Sequence, residues 1–526
     1  MLKTSEYGEI EKQINRLFYI LLVLHLVPLF FGKYFLTQDG PSHLKNAMMI
    51  KDMVLNVHSI YQSYFHINTT PNPNWIVHLF YVVLLVFLPA FIVEKIFLIA
   101  FVLILPLSFR YLVKQINPQN TFISLLIFPF IYSIAFYYGF FNFCISIAFF
   151  FYGIGYWLKN DGLFNTRKQF VFLILVSLTF FSHPVSFLME GLVLGLLCIG
   201  FCFYENKPGI ILKRLTSLLI GFAPALATFF LFLQKNSSEI NVPEYYFWQY
   251  VSDQVQNAAL SYLGYFDLPF CILLTAILLL FIGFSIFFRF RKKKVYRLDI
   301  LIVLFLIFGV LLYFAPDDFA GGSFIFMRLA LYSNILAFLF IAIYPYPAKW
   351  ASISGKCFFA YALIFLVIRS YFFFITDQGL NEYRSIGKYI PEGKTFLPLV
   401  VDNVHHLPGG LRRYGEVEVY LHASSYISIE RNAVCLENYE ASYNYFPLHW
   451  KNNQNASTFF PENGDTLKDS SIAAFANSSG HWPDYILLWG EPDSIAQKHY
   501  LLSEINRHYS LNAKSANSYA WLYRKK

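Results

Sequence analysis

Charged residues are scarce in this sequence of 526 residues. Lysine, arginine, aspartate and glutamate together make up 14% of it, whereas 57% of the residues are hydrophobic and 20% are aromatic. Soluble globular proteins usually carry about 25% charged residues. The shortage of charge excludes an ordinary soluble protein and predicts a polytopic α-helical membrane protein.

Cysteine is also scarce, with six in the chain. Five of them lie in apolar segments and Cys435 stands alone in a polar region, so no spacing typical of a disulfide framework or a metal site is present. The sequence predicts no cofactor; a divalent metal stays possible, but no ligand set supports one. The net charge of +8 comes mostly from basic residues between apolar segments, where they set orientation. We read no nucleic-acid signal in it.

About eleven apolar segments are candidates to cross a bilayer, for which a helix needs about 20 residues. The first has no small-residue cleavage site and is expected to remain as an uncleaved helix. The predicted spans are 17–36, 91–112, 121–138, 140–158, 170–181, 185–203, 215–233, 268–288, 298–314, 324–344 and 358–375.

Heavy use of Phe, Tyr, Asn, Ile and Lys is typical of an AT-rich bacterial genome, so the predicted location is the inner membrane. Basic residues decide the predicted orientation of the spans. They collect before the first span and in alternate loops, as in the run at 291–294, and so place the N-terminus in the cytoplasm. This pattern holds only if residues 75–89 do not cross. They are predicted to form an interfacial or re-entrant helix in a first outer loop, residues 37–90. The alternative, a short true span, would invert every later loop.

The composition changes abruptly to polar near residue 376. The remaining residues suffice for one small domain. The sequence therefore predicts two parts, a multi-pass membrane domain at 1–375 and a soluble extracytoplasmic α/β domain at 376–526. The patterns predict helices at 381–390 and 495–506 and strands at 396–401, 416–420 and 485–488.

The segment QDGPSHL at residues 38–44 carries two titratable groups four positions apart, Asp39 and His43. Ionisable residues at a membrane edge are costly to keep and are candidates for function. A partly desolvated carboxylate beside a histidine can take a proton from an acceptor hydroxyl or amine. Alternatively, Asp39 caps the helix that begins near Pro41. Further histidines in the same loop add weight to a functional site, and these are His58, His66 and His78. Scattered histidines are nevertheless more often surface or packing residues than ligands.

Other polar side chains are predicted on the same outer side. Arg328 and Arg369 lie near the outer ends of two spans, where a guanidinium suits a phosphate oxyanion or reaches lipid headgroups. Asn142 lies in the turn at 139–142. His183 falls between two spans, and Glu190 lies two turns deeper on the same face. A buried carboxylate needs a partner, which His183 or a basic group of a neighbouring helix could supply.

The polar tail offers one further cluster, Asp402, His405 and His406. A polar loop that leaves the end of a strand explains these residues better than a catalytic role does. No clustered acid, histidine and nucleophile elsewhere in the tail demands chemistry there. We expect the tail to fold on its own and to contribute to the choice of acceptor.

The order of parts resembles the GT-C superfamily of integral-membrane glycosyltransferases, which includes protein mannosyltransferases and lipid A aminoarabinose transferases. Shared features are one N-terminal helix, an aspartate that starts a long outer loop, a short amphipathic segment, many further helices, an arginine late in the chain and a soluble C-terminal domain. The resemblance covers residues 17–375. Its sharp motif is QDGPSH at 38–43.

The resemblance implies transfer of a sugar from a polyprenyl-phosphate donor to a glycan, lipid or protein acceptor at the outer face of the membrane. Asp39 would be the catalytic base, and Arg328 would bind the lipid phosphate. Many relatives have a second acid directly after the aspartate, where this chain has Gly40. His43 is the candidate for that role, unless the chemistry is altered or absent. The remaining substrate-binding candidates are His183, Glu190, Asn142 and Arg369.

A different class of function stays open, that of a membrane transporter or a non-enzymatic envelope-assembly subunit. A transporter should show paired halves and charges or broken helices near the middle of the bilayer. The sequence has no internal repeats and no deep charges on the inner side, so it favours the enzyme.

Overall fold

Helices make up most of the part of the chain that a computed structural model describes, which is residues 4–205, 207–235, 267–315, 318, 322–401, 417–451, 454–460 and 472–526. Within these residues, nine helices are long and apolar enough to cross a membrane. In lipid every backbone polar group must be satisfied within the chain, and an apolar helix achieves this by itself. The prediction of a multi-pass helical membrane protein is confirmed.

Each of the eleven predicted spans falls on helical structure. Two of them lie on the shorter helices α7 and α11, which have 17 and 14 residues. A 3-10 helix at Pro118–Phe130 follows α4. The α-helices up to the polar tail are α1 (Thr4–Leu24), α2 (Gly40–Leu55), α3 (Ile76–Leu85), α4 (Ala90–Ile116), α5 (Ile134–Tyr137), α6 (Phe141–Lys159), α7 (Thr166–Ser182), α8 (Pro184–Glu205), α9 (Pro208–Lys235), α10 (Leu268–Lys292), α11 (Ile300–Tyr313), α12 (Ile325–Ile343) and α13 (Ala348–Ser385).

The first helix lies earlier in the chain than the predicted span at 17–36. It begins at Thr4, because the polar residues before the apolar run include good helix formers. It ends at Leu24, and a 3-10 helix at Val27–Phe30 contains Pro28, which cannot continue an α-helix. The predicted bounds were therefore wrong at both ends.

The loop at residues 37–90 contains α2, the short strand β1 (Phe65–Ile67) and α3. Helix α3 has 10 residues. That is about half of what a span needs. The short helix agrees with the prediction that residues 75–89 do not cross.

Helix α13 continues past the change in composition near residue 376 and ends at Ser385. The last predicted span and the predicted helix at 381–390 are therefore one helix. Gly379 lies in this helix, and a Cβ there would stand 2.0 Å from the Tyr420 hydroxyl. That hydroxyl donates a hydrogen bond to the Thr376 carbonyl at 3.0 Å. The glycine thus allows the tail to approach the helix closely.

The tail contains a five-stranded mixed sheet in the order β3-β2-β5-β7-β6. Strand β2 pairs in parallel with β3 and β5, whereas β7 pairs antiparallel with β5 and β6. The elements of the tail are β2 (Thr395–Val400), α14 (Ser424–Arg431), β3 (Val434–Cys435), β4 (Leu448–Trp450), α15 (Ile472–Ser479), β5 (Tyr485–Trp489), α16 (Pro492–Gln497), α17 (His499–His508), β6 (Tyr509–Lys514) and β7 (Ala520–Lys525). The predicted α/β fold of the tail is confirmed.

Individual elements of the tail differ from their predictions. The strands at 396–401 and 485–488 are present as β2 and β5. The predicted strand at 416–420 is wrong in its described part: residues 417–418 have no regular structure and residues 419–420 are a turn. The predicted helix at 495–506 is split into α16 and α17 at Lys498, whose backbone is not helical. Three predicted candidates, Asp402, His405 and His406, lie outside the described residues.

The tail packs directly on the loop at 37–90. Strand β1 pairs antiparallel with β4 of the tail, and the rings of Phe65 and Trp450 lie 4.2 Å apart. The side-chain amides of Asn46 and Asn438 donate hydrogen bonds to each other. These buried contacts hold the tail against the loop at 37–90.

Candidate functional site

Five of the seven predicted site residues line one cavity of about 220 Å³. They are Asp39, His43, Asn142, His183 and Arg328. The cavity lies between the start of α2, the facing ends of α6, α8 and α12, and the tail. It therefore uses residues from both parts of the chain.

Asp39 stands at the N-cap position of α2, but its side chain makes no capping hydrogen bond. The hydroxyl of Thr37 accepts from the backbone N–H of Gly40 instead, at 3.2 Å. The backbone N–H of Asp39 donates to the Tyr138 carbonyl at 3.0 Å. The carboxylate is thus held by its backbone and faces the cavity, so capping does not explain this residue.

Gly139 fixes the position of the Asp39 backbone. Its φ of +80° is rarely adopted by residues with a side chain, and a Cβ there would stand 2.5 Å from the Gly40 nitrogen and 2.8 Å from the Asp39 nitrogen. The neighbours are backbone atoms, which cannot rotate away. The turn predicted at 139–142 therefore needs glycine at this position.

Gly139→Ala is expected to lower the free energy of unfolding by about 1–3 kcal/mol, because it adds left-handed backbone strain to a backbone clash. The variant should also have a lower activity per folded molecule, because the added Cβ displaces the Asp39 backbone and with it the carboxylate. Thermal unfolding in detergent and activity per folded molecule measure the two effects. Gly195→Ala in α8 is the control, because a Cβ there meets nothing within 4 Å. Equal behaviour of both variants would contradict this account.

The carboxylate of Asp39 is buried among polar groups of the tail. His422 Nε2 lies 3.6 Å from its Oδ1, and the side-chain amide of Gln38 donates to the same oxygen at 3.3 Å. The hydroxyl of Tyr439 donates a further hydrogen bond to it. Burial raises the pKa of Asp39 above 3.8, although the nearby charges of His422 and His43 lower it in part. A carboxylate with a raised pKa is a stronger base.

His422 bridges Asp39 to a second acid. Its Nδ1 lies 3.1 Å from Oε1 of Glu437, and its ring stacks on Tyr439 with 4.6 Å between the ring centres. Lys45 of α2 donates to the Glu437 carbonyl at 2.8 Å. Burial acts to raise the pKa of Glu437, but the charges of His422 and Lys45 together with its hydrogen bonds leave it below 4.5. Glu437 is therefore an anion that orients His422 toward Asp39.

A second buried carboxylate, Glu440, lies between two histidines of the loop at 37–90. His43 Nδ1 is 2.8 Å from its Oε1, and His78 Nε2 is 2.8 Å from its Oε2. Burial acts to lower the pKa of His43, but the charge of Glu440 raises it above 6.5 overall. These three residues form the one group within the described chain whose acid and histidine atoms are spaced to hold a metal ion.

Arg328 lies on the cavity wall in the first turn of α12. Its guanidinium is 4.4 Å from the ring centre of Phe140 and donates to the Ser323 carbonyl. His183 accepts a hydrogen bond from the backbone N–H of Val185 at Nδ1, so its proton is on Nε2. Burial and the Arg328 charge hold the pKa of His183 well below 6.5. The cavity therefore offers a cation beside a neutral donor.

The other predicted ligands have structural contacts. Asn142 accepts a hydrogen bond from the Val77 N–H at 3.0 Å and donates to the Asn74 carbonyl at 2.9 Å, which joins α3 to α6. Arg369 is outside the cavity and pairs with Asp267 at 2.8 Å, with both side chains fully buried.

Glu190 also lies outside the cavity. Its carboxylate occupies the space beside Gly153 of α6, where an added Cβ would stand 1.8 Å from Oε1. It forms no ion pair with any described residue, and the partnership predicted with His183 does not form. The structure thus does not bring Glu190 and Arg369 together with the other five candidates.

Sequence reasoning missed the residues that the tail contributes: His422, Glu437, Tyr439 and Glu440. They lie in a polar region where acids and histidines are ordinary, and the local sequence does not show that they are buried. His78 was noted only as one of several histidines of its loop. The placement of a glutamate two residues after a buried strand, β3, was the available signal for Glu437.

Comparison with known proteins supports the fold. No family model matches the sequence, and no curated protein matches it. Among solved structures, the chain is similar to the crystal structure of ArnT from Cupriavidus metallidurans bound to undecaprenyl phosphate, with a TM-score of 0.53 and 9% identity. The match covers 97% of this chain and 98% of that one. At such low identity the likeness shows the fold alone, and the predicted GT-C-like architecture is confirmed.

Proposed function

With the GT-C-like fold as the premise, we propose that this protein is a membrane glycosyltransferase that moves a sugar from a polyprenyl-phosphate donor to an acceptor at the outer face of the membrane. The main observation in its favour is Asp39, a buried carboxylate that caps no helix and faces the same cavity as Arg328. That pairing of a base with a phosphate-binding cation is what the reaction needs. The structural neighbour bound to undecaprenyl phosphate supports the lipid part of the proposal.

Asp39 acts as the general base in the proposed reaction. It takes the proton of the acceptor hydroxyl or amine while that oxygen or nitrogen attacks the anomeric carbon. The bond from this carbon to the phosphate oxygen breaks, and its electron pair leaves with the polyprenyl phosphate. Attack from the face opposite the leaving group inverts the anomeric configuration, and the proton ends on Asp39.

Arg328 and His183 act on the leaving group. A departing phosphate needs its negative charge stabilised, and the planar guanidinium can donate two hydrogen bonds to its oxygens. The neutral His183 can donate one more from Nε2. Both groups are placed on the cavity wall by helix starts, Arg328 in the first turn of α12 and His183 directly before α8.

The hydrocarbon chain of the donor has an apolar entry in this proposal. Leu188 of α8 and Phe229 and Phe232 of α9 line the cavity beside His183. Both helices are candidate membrane spans. A lipid can therefore remain between them while its phosphate reaches the polar end of the cavity.

The proposal is tested by comparing lipid extracts from a deletion strain, its parent, and strains that carry the wild-type or Asp39→Asn gene. Mass spectrometry should show a polyprenyl-phosphate sugar that accumulates in the deletion strain, together with a missing modified glycan, lipid or protein. The wild-type gene should reverse both changes and the variant neither. Complementation by Asp39→Asn would favour a non-enzymatic envelope-assembly role, and unchanged lipids would contradict the proposal.

Membrane topology gives a separate prediction, because the proposed site needs the tail on the outer side and the N-terminus in the cytoplasm. Single cysteines at Lys293 and Gln497, both exposed, should react from opposite sides of the membrane. Labelling with a membrane-impermeant maleimide in intact and in permeabilised cells distinguishes the two sides. A background in which the six native cysteines are replaced serves as the control. If both positions react in intact cells, the orientation is wrong.

A further inference from the structure

The cluster of His43, His78 and Glu440 draws its members from α2, α3 and the 3-10 helix at Glu440–Ser442. Their relative exposures are 4%, 1% and 0%. The proposed transfer reaction assigns no role to His78 or Glu440. Three buried ligand-type side chains from distant parts of the chain therefore require their own explanation.

The second nitrogen of each histidine determines the charge of this cluster. His43 Nε2 lies 3.0 Å from the Gly139 carbonyl, and His78 Nδ1 lies 3.3 Å from the Asn74 carbonyl. A carbonyl accepts hydrogen bonds, so both of these nitrogens carry protons. In a neutral imidazole the other nitrogen then presents a lone pair. Both lone pairs lie against the carboxylate of Glu440: that of His78 Nε2 is aligned with Oε2, whereas that of His43 Nδ1 lies to one side of Oε1. The two contacts need two added positive charges, which two protons or one divalent cation can supply.

The geometry between His43 and Glu440 favours the cation. Nδ1 and Oε1 are 2.8 Å apart, yet they do not form an aligned hydrogen bond, and both atoms are buried. A proton on Nδ1 would lie in the ring plane and point at the oxygen. Two buried atoms that are close but not aimed at each other can instead share a third atom placed to one side.

We infer that His43 Nδ1, His78 Nε2 and a Glu440 oxygen bind a zinc ion. Two imidazoles with one carboxylate are a ligand set that zinc accepts, whereas magnesium and calcium prefer oxygen ligands throughout. The two backbone carbonyls supply the outer contacts that fix the tautomer of a metal-binding histidine. Tetrahedral zinc separates its ligand atoms by about 3.3 Å. The two 2.8 Å gaps therefore widen by about 0.5 Å when the ion binds.

The ion holds the tail against the loop at 37–90 beside the catalytic base. Glu440 directly follows Tyr439, whose hydroxyl donates to Asp39, and His43 lies one helical turn after Asp39. A fixed Glu440 thus fixes the wall of the cavity next to Asp39. The zinc site does not depend on the sugar-transfer proposal, because the ligands alone define it.

The test measures metal in the purified full-length protein, expressed without a polyhistidine tag. Inductively coupled plasma mass spectrometry should find about one zinc ion per chain in the wild type, and at least a fivefold reduction in Glu440→Gln and His78→Gln. His449→Gln is the matched control: His449 faces His66 across the β1–β4 pair, with their ring centres 5.3 Å apart. Among the described residues, neither histidine belongs to a group spaced to hold a metal ion. The control should keep its zinc.

A second measurement covers variants that fail to fold. Wild-type protein stripped with a chelator should melt at a lower temperature and recover when zinc is added, because a ligand that binds only the folded state stabilises it. Cobalt added to the stripped wild-type protein should produce a visible absorption typical of four-coordinate sites. The stripped His78→Gln variant should not show this absorption. Wild-type protein without zinc that takes up neither metal would overturn the inference, as would equal zinc in the wild type and the two ligand variants. These assays contain no sugar donor or acceptor. Failure of the zinc inference can therefore be distinguished from failure of the proposed function.

Discussion

Replacement of Asp39 by asparagine is expected to reduce sugar transfer by about 10²–10⁴-fold, the usual contribution of a general base, and to leave the protein folded. Asparagine has the same size and can still accept the hydrogen bonds from Gln38 and Tyr439. The Asp39 side chain caps no helix, so α2 does not lose a stabilising contact. Transfer from a polyprenyl-phosphate-linked sugar by purified protein measures the effect.

The pH dependence of the wild-type rate provides a second readout for Asp39. The base must be deprotonated, so the rate falls as the pH drops through its pKa. Burial raises that pKa above 3.8, so the fall begins at a higher pH than for an ordinary aspartate. The asparagine variant should lose this part of the profile.

Asp52→Asn is the matched control for Asp39→Asn. Asp52 lies in α2, the helix that Asp39 directly precedes, and it accepts a hydrogen bond from the Ser59 hydroxyl. It is not among the residues of the cavity. This variant should keep its full rate and its pH profile. Full activity in the Asp39 variant, at normal protein levels, would show that another group is the base.

Arg328→Ala should lower kcat/KM for the donor by about 10- to 150-fold, which corresponds to the net loss of one hydrogen bond to a charged phosphate. Arg328→Lys should recover only part of this loss, because an ammonium lacks the planar pair of donors. The KM for the acceptor should change little. Titration of donor and acceptor in separate series with purified protein distinguishes the two effects.

The control for Arg328 is Arg291→Ala, which removes an exposed arginine from the last turn of α10. It should not change either kinetic parameter. An Arg328→Ala variant that melts at a lower temperature but uses the donor normally would identify a structural arginine. Its contacts with Phe140 and Ser323 would then account for it.

The part of the site that the sequence predicts consists of residues whose position is unusual for their chemistry. Asp39 follows a long apolar run of the sequence and Arg328 lies in the first turn of an apolar helix, where a charge is costly and so is informative before any contact is known. The tail residues His422, Glu437 and Glu440 have no such signal, because acids and histidines are common in polar segments. Their burial arises only when the tail packs on the loop at 37–90.

The fold shows the same division. Long apolar runs determine helices by themselves, so the sequence was enough to predict where the apolar helices lie. The ends of elements depend on more distant contacts: α13 continues past residue 376 because the tail packs against it through Tyr420 and Gly379. The predicted strand at 416–420 was wrong for a related reason. The segment is held by hydrogen bonds to other elements: Tyr420 donates to the Thr376 carbonyl, and the backbone N–H of Glu418 donates to Gln38.

The pairing of the two ends of the chain also sets an order of events during synthesis. His78 precedes Glu440 by 362 residues. A ribosome that adds about 5–20 residues per second needs about 20–70 s to cover that distance. During this interval the loop at 37–90 has left the ribosome, but its strand β1 has no β4 to pair with. Its residues His43 and His78 likewise lack Glu440. The nascent protein therefore passes through a long stage in which most helices exist and the site does not, and a chain that stops before the tail never leaves that stage.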